Sequence, residues 1–309
     1  MKRPLLFLLL LALTGCAASR HAGSYPASAA PGKKQYAVIL SMDAFRWDLA
    51  GRSHTPTLDS LARVGTYAEV FPVYPSNTFP SHYSMATGLH PDHHGVVNNA
   101  FFDKMQGRQL SVFDAEDVKT PGFWGGEPIW NTVERQGLTA NIFMWPGSDV
   151  PVNGRQATVW TRYSPKPSYY ERADWVIDAL TRPEAEIPEL VMWYFEQPDA
   201  AMHTYGPESP EAVAQAERID SVLRYFFREV RRSPVFDRIN FIVTADHGMA
   251  GLSPERYLNL YGVLDSTQIV RTVPGTPFGI EVRREYVREA LRRLRATGHV
   301  KAWERGKMP

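Results

Sequence analysis

From residue 36 onward, apolar runs alternate with polar segments of helical period. Three runs read as strands buried on both faces: Tyr36-Ala37-Val38-Ile39-Leu40-Ser41-Met42, Leu190-Val191-Met192-Trp193-Tyr194-Phe195, and Ile239-Asn240-Phe241-Ile242-Val243-Thr244-Ala245. Near-continuous apolar sequence of this kind is typical of parallel sheets. Further strands are expected over 67–71 and 140–145. Helices are expected over 57–64, where Leu58, Leu61 and Val64 share one side, and over 130–136, 173–180 and 210–232. Another should follow Thr78, with Pro80 in its first turn and Gly88 near its C-terminus. The alternation predicts an α/β fold with a mostly parallel central sheet and helices on both faces. Residues 100–128 and 145–170 are rich in Gly, Pro and aromatics and show no clear period. Long irregular stretches inside a domain are commonly functional loops.

Each of the three runs leads into metal-ligating side chains. The first meets Asp43, and the third ends in Asp246-His247-Gly248. The second passes through Glu196-Gln197-Pro198 to Asp199, with His203 four residues later. In open α/β sheets, ligands bind outside the carboxyl ends of the strands. Three carboxylates and two imidazoles at such ends describe a metal site. Asp199 and His203 would share one face of a helical turn. Asp246 and His247 would point apart in an extended strand, but a turn at the strand end lets both reach inward. Oxygen and nitrogen donors together fit zinc better than manganese or iron.

A nucleophile near such a site is best sought in Ser76-Asn77-Thr78-Phe79-Pro80-Ser81-His82. Thr78 stands at the expected helix start, where backbone N–H groups and the dipole favour an anion. A threonine hydroxyl needs activation, which metal coordination supplies. On this segment alone Thr78 could equally be an N-cap, worth about 1 kcal/mol.

At 309 residues and 44% hydrophobic content, the chain has room for one large α/β domain or two smaller ones. A net charge of +1 argues against a nucleic-acid polymer as partner, because that partner needs a clustered basic field. The Arg283-Arg284 and Arg292-Arg293-Leu294-Arg295 stretches alternate with apolar residues, as a solvated helix face does. At the N-terminus, Lys2-Arg3 precede an apolar run, Leu5 to Leu13, that is too short to span a bilayer. These are the charged and apolar regions of a secretory signal. Leu13-Thr14-Gly15-Cys16 resembles the bacterial lipobox. That resemblance implies lipidation of Cys16 and anchoring at the bacterial cell envelope, on the outer membrane and facing the periplasm. An ordinary signal peptide with an incidental cysteine is the alternative. Cys16 is the one cysteine in the chain, so neither reading leaves a disulfide or thiol chemistry in the mature fold. Residues 1–16 are thus expected to be the signal segment, and 17–34, rich in Ala, Ser, Gly and Pro, a flexible tether.

Taken in order, the motifs resemble one family. Ser41-Met42-Asp43-Ala44-Phe45-Arg46 and Asn77-Thr78-Phe79-Pro80-Ser81-His82-Tyr83 are similar to the nucleotide pyrophosphatase/phosphodiesterase family of the alkaline phosphatase superfamily. So are Thr87-Gly88-Leu89-His90-Pro91-Asp92-His93-His94-Gly95, Glu196-Gln197-Pro198-Asp199 with His203, and Thr244-Ala245-Asp246-His247-Gly248-Met249. The resemblance implies an alkaline-phosphatase-like catalytic domain over 35–309 that hydrolyses phosphodiester or pyrophosphate bonds of nucleotides. It implies two zinc ions, one held by Asp43, Thr78, Asp246 and His247, the other by Asp199 and His203. Thr78 would attack phosphorus, giving a phospho-threonine that water hydrolyses. Asn99 would donate to a phosphate oxygen, with the Phe79 backbone N–H as a second donor. Asn98 reads as a turn residue. Phe79 and Tyr163 fall where family members flank the base, and Trp145-Pro146-Gly147-Ser148-Asp149 reads as scaffold.

The family also carries a late metal-binding histidine in a Gly-rich segment. The sequence ends at Met308-Pro309 without it, and His299 does not match its context. The expectation is therefore a catalytic domain lacking its C-terminal part, with two protein ligands at the second zinc where three are usual. Phospholipid diesters and phosphomonoesters remain as alternative substrates. A metal- or phosphate-ester-binding lipoprotein without turnover is the alternative of another class. A sulfatase is a poor reading, since Thr78-Phe79-Pro80-Ser81-His82 lacks the arginine of the Cys/Ser-x-Pro-x-Arg pattern.

Overall fold

The central layer is a sheet of five parallel strands. The computed structural model describes residues 33–307 except 121 and 274–277, so the signal segment, Cys16 and nearly all of the 17–34 tether lie outside the described residues. The strands are β1 (Tyr36–Met42), β2 (Ala100–Asp103), β3 (Arg108–Ser111), β4 (Ala140–Phe143), β5 (Val159–Thr161), β6 (Leu190–Phe195), β7 (Ile239–Thr244), β8 (Ile269–Val273) and β9 (Gly279–Val282). The helices are α1 (Leu49–Arg52), α2 (Pro56–Val64), α3 (Thr78–Thr87), α4 (Pro91–His94), α5 (Ile129–Arg135), α6 (Tyr169–Leu180), α7 (Asp199–Tyr205), α8 (Pro210–Val230), α9 (Leu260–Val263) and α10 (Val287–Ala296). Strand order in the main sheet is β5-β4-β6-β1-β7, and every pairing in it is parallel.

Period-two alternation assigns each strand residue to a layer. Val38 and Leu40 of β1 and Val191, Trp193 and Phe195 of β6 pack against α6 and α8, through Val176, Leu180, Leu223 and Phe226. Ala37 and Ile39 of β1 with Leu190 and Met192 of β6 face Ala86 of α3 and Trp130 of α5. Helices therefore cover both faces, as the alternation predicted. Helix α6 opens with a reciprocal cap between Ser168 and Glu171. Helix α2 has no side-chain cap of its own. Instead, the buried Asp220 carboxylate of α8 accepts from the Thr57 and Leu58 N–H groups at 3.1 and 2.8 Å.

Two expectations need correction. Residues 67–71 form no strand, and Tyr67, Val70 and Phe71 are exposed. The five residues lack a period-two alternation of apolar and polar side chains, so they present no apolar face to a sheet. Within 100–128, where no element was assigned, β2 and β3 form an antiparallel hairpin. Its turn is held by Asp103, which accepts from the Met105 and Gln106 N–H groups. Phe101 and Leu110 from this hairpin join Tyr83, Phe123 and Trp124 in a separate core.

The register fixes where the chemistry emerges. Met42 lies opposite Phe195, and Ser41 opposite Thr244, so the carboxyl ends of β1, β6 and β7 finish level. The Asp43 N–H donates to Phe195 O at 2.9 Å, and the Asp199 N–H donates to Asp43 O at 3.1 Å.

Candidate active site

Four expected ligands converge on one nitrogen. His247 Nε2 lies 3.4 Å from Asp43 Oδ1, 3.3 Å from Asp246 Oδ2 and 3.4 Å from Thr78 Oγ1. Among the described residues, Asp43, Asp246 and His247 bring one ligand atom each within 4.8 Å of one another. His247 Nδ1 lies 2.9 Å from Gly248 O. A carbonyl only accepts, so Nδ1 carries a hydrogen, and Nε2 is the nitrogen that faces the carboxylates. Asp43 Oδ1 and Asp246 Oδ2 are buried and have no hydrogen-bond donor.

Local backbone builds this convergence. The chain turns sharply after β1 because Ala44 adopts φ +55°, an uncommon left-handed value for a residue with a Cβ. That turn lets the Ala44 N–H donate to Asp246 Oδ1 at 3.0 Å, which ties the end of β1 to the end of β7. Arg46 crosses the same junction and donates to Met249 O at 3.1 Å. Its Cγ would stand 3.0 Å from a Cβ at position 248, so any larger residue there would push Arg46 aside by a few tenths of an ångström.

Electrostatics follow from the crowding. Burial, with the charges of Asp246 and Asp199, holds the Asp43 carboxyl well above the usual carboxylate range. Burial likewise raises Asp199. Burial alone would also raise Asp246, but His82 and His247 beside it and the Ala44 N–H bring it below its ordinary value. Two carboxylate oxygens without donors and one imidazole nitrogen, all within 4.8 Å of one another, fit a divalent cation. Asp199 Oδ1 is also buried without a donor, 3.5 Å from His203 Nε2. Asp199 and His203 sit four apart on α7 as the spacing predicted, with His203 largely exposed.

Thr78 is the first residue of α3, so it is not the N-cap; Asn77 holds that position and makes no side-chain capping bond. Asn99 reaches the nucleophile segment, with one correction. The Phe79 N–H donates to Asn99 Oδ1 at 3.1 Å and so is not a free second donor. This bond fixes the Asn99 amide and leaves its NH2 group as the donor. Asn98 is more than a turn residue: its Oδ1 accepts from Asn77 Nδ2 at 2.6 Å and from the Asn99 N–H at 2.8 Å. Phe79 packs edge-on against Phe113, ring centroids 5.9 Å apart. Tyr163, 46% exposed, meets Tyr194 edge-on at 6.2 Å.

Two residues with roles here carried no assignment in the sequence. His82 is fully buried; its Nδ1 donates to Thr78 O at 2.7 Å and lies 3.3 Å from Asp246 Oδ2, while Nε2 pairs with Ser41 Oγ at 2.8 Å. The spacing of four from Thr78 within one helix was the available signal. Tyr194 read as strand core, yet its hydroxyl donates to Asp43 Oδ2.

Comparisons with known proteins agree with this arrangement. The profile described as type I phosphodiesterase/nucleotide pyrophosphatase matches residues 37–309. Venom phosphodiesterase 2 of Crotalus adamanteus is 35% identical over 226 residues, covering 71% of this chain and 27% of the relative. Ectonucleotide pyrophosphatase/phosphodiesterase family member 1 of Homo sapiens is 34% identical over 244 residues, covering 77% and 26%. The chain spans about a quarter of the length of these two relatives. Among solved structures, an inactive threonine-to-alanine variant of murine ectonucleotide pyrophosphatase/phosphodiesterase 5, in complex with AMP, superposes with a TM-score of 0.77 at 28% identity. That match covers 86% of this chain and 70% of the murine one. A parallel five-stranded sheet, the ligand set at its carboxyl edge and the profile match together show that the chain belongs to the type I phosphodiesterase/nucleotide pyrophosphatase family.

Proposed function

We propose that this chain hydrolyses phosphodiester or pyrophosphate bonds of nucleotides or nucleotide derivatives, with Thr78 as nucleophile. The observation that carries the reading is the meeting of Thr78 Oγ1, Asp43 Oδ1 and Asp246 Oδ2 at His247 Nε2. Asp43, Thr78, Asp246 and His247 would hold one zinc ion, and Asp199 with His203 would contribute to a second. Bound there, zinc would lower the pKa of the threonine hydroxyl and offset charge on the phosphate oxygens.

The chain's own groups account for the rest. As Thr78 Oγ forms its bond to phosphorus, the bond to the leaving-group oxygen breaks and the threonine proton is released to solvent or to that oxygen, giving a phospho-threonine. Water then attacks phosphorus and Thr78 Oγ departs, restoring the hydroxyl. The α3 N-terminus puts the positive end of its dipole at Thr78, where negative charge would develop. The Asn99 NH2, held by the Phe79 N–H, is set to donate to a non-bridging oxygen. Phe79 and Tyr163 would flank the base. The murine relative, inactive as a threonine-to-alanine variant and complexed with AMP, supports the nucleophile and the nucleotide class. Cys16 is proposed to carry a lipid anchor at the bacterial envelope, which mass spectrometry of the mature N-terminus would test.

The deciding experiment uses Thr78→Ala with a p-nitrophenyl nucleotide diester. Turnover and the covalent phosphoenzyme should vanish while metal content is retained. Unchanged turnover in this variant, or a preference of the parent for p-nitrophenyl phosphate, would overturn the assignment.

A further inference from the structure

We propose that Arg172 is a positioning residue for substrate recognition: it clamps the segment that carries Tyr163 onto the carboxyl end of β6. The inference rests on the reading of Tyr163 as an aromatic flanking the base.

Arg172, in the first turn of α6, is 2% exposed, and its guanidinium forks between two elements. Toward the sheet, Nη1 donates to Glu196 Oε2 at 2.5 Å and Nη2 to Glu196 Oε1 at 3.4 Å. Toward the segment between β5 and α6, Nη2 donates to Ser164 O at 3.1 Å and Nε to Pro167 O at 3.2 Å. Its Cζ stands 6.0 Å from the Tyr163 ring centroid and 5.1 Å from that of Tyr169. Glu196 directly follows β6 and lies three residues before Asp199; it also accepts from the Tyr169 hydroxyl at 3.2 Å.

The segment 162–168 has no secondary structure of its own. Without ladder bonds, side-chain donors to its carbonyls are one way such a loop is held in place. Arg172 satisfies two of them while anchored to the stretch that leads to Asp199. Tyr163 is thereby fixed half-exposed beside Tyr194, whose hydroxyl donates to Asp43. The clamp thus sets the distance between an aromatic wall and the phosphate-reacting end of the site. Lysine keeps the charge but cannot reproduce the fork.

The test compares KM for a p-nitrophenyl nucleotide diester with KM for methyl p-nitrophenyl phosphate, which has no base. Arg172→Lys should raise the nucleotide-to-methyl KM ratio about tenfold, the scale of one aromatic contact, while kcat on the nucleotide is kept. Tyr163→Ala should raise the same ratio, and the double variant should add little to either single one. A ratio unmoved by Arg172→Lys but raised by Tyr163→Ala overturns the clamp and leaves the reading of Tyr163 intact. A ratio unmoved by Tyr163→Ala overturns that reading, and the clamp with it. Should Arg172→Lys fail to fold, Glu196→Gln decides: a raised ratio supports the clamp, an unchanged one overturns it.

Discussion

The Tyr194 hydroxyl donates to Asp43 Oδ2, while Asp43 Oδ1 faces His247 Nε2 with no donor of its own. The two oxygens of one carboxylate are thus divided between a protein donor and the open centre of the ligand set. A bond of this kind orients a ligating group and sets its basicity. Tyr194→Phe should weaken retention of the bound cation by about tenfold or more, the usual scale for such partners. Competition with a graded series of chelators measures it; equal retention by the variant and the parent would count against this role for Tyr194.

His82 ties the first turn of α3 to β1 through Thr78 O and Ser41 Oγ, with no solvent access. Removing a buried partner leaves the other groups unsatisfied, which costs about 1–3 kcal/mol. His82→Ala should therefore lower the unfolding free energy by that amount, with a lower urea midpoint, and loosen the cation site, because Thr78 and Asp246 lose a shared neighbour. Urea denaturation with and without added zinc separates the two effects. A midpoint equal to the parent's would show that the imidazole is dispensable.

Much of this arrangement was legible in the sequence because it rests on local signals. The runs of β1 and β6 are apolar on both faces and β7 on one, and α8 repeats its buried positions over Ile219, Val222, Leu223 and Phe226. Ligands placed just after strand ends inherit the register of the sheet, so Asp43, Asp246 and His247 could be expected together. What was hidden depends on partners far along the chain. Tyr67 to Phe71 is rich in strand-forming residues yet stays exposed outside the sheet, and the β2–β3 hairpin is stabilised by a core shared with Tyr83 and Trp124. Arg172 carries no local sequence signal of its role, and only its burial reveals Glu196 as its counter-ion.

His94 makes the fold sensitive to mild acid. The Val96 N–H donates to its Nδ1 at 3.2 Å, so Nε2 carries the hydrogen, and Ser84 Oγ stands 2.9 Å away. Burial lowers its pKa from 6.5 to about 4. Between those values the unfolded chain holds a proton that the folded chain does not, so stability falls as pH drops from 6.5 toward 4 and is whole above that window. The full difference is on the order of 3 kcal/mol. A His94→Gln variant should show a shallower loss over the same range in denaturant titrations at stepped pH. Parallel curves for variant and parent would remove His94 as the cause.

Asp220 caps α2 from a different helix, through the Thr57 and Leu58 N–H groups. Loss of a helix cap costs about 0.5–2 kcal/mol. Asp220→Ala should fall at the upper end, because Asp220 is buried and also leaves those N–H groups unmet. Hydrogen exchange gives the sharper reading, since protection should drop over 56–64 before it drops elsewhere. Uniform loss across the sheet would contradict a local capping role.

Removal of the cation should invert the usual ranking of a ligand variant. In the metal-free protein Asp43 is held above its ordinary carboxylate range by burial and by the charges of Asp246 and Asp199, so the site itself opposes folding near neutral pH. Asp43→Asn removes one of the opposed charges and can direct its NH2 group at acceptors already in place. With chelator present, this variant should be the more stable of the two. With zinc restored, the parent should gain about 2.7 kcal/mol at a hundredfold excess over Kd, and the variant far less. Calorimetry of both proteins in both conditions gives four midpoints. If the parent is the more stable in chelator as well, repulsion among these carboxylates is not what the cation relieves.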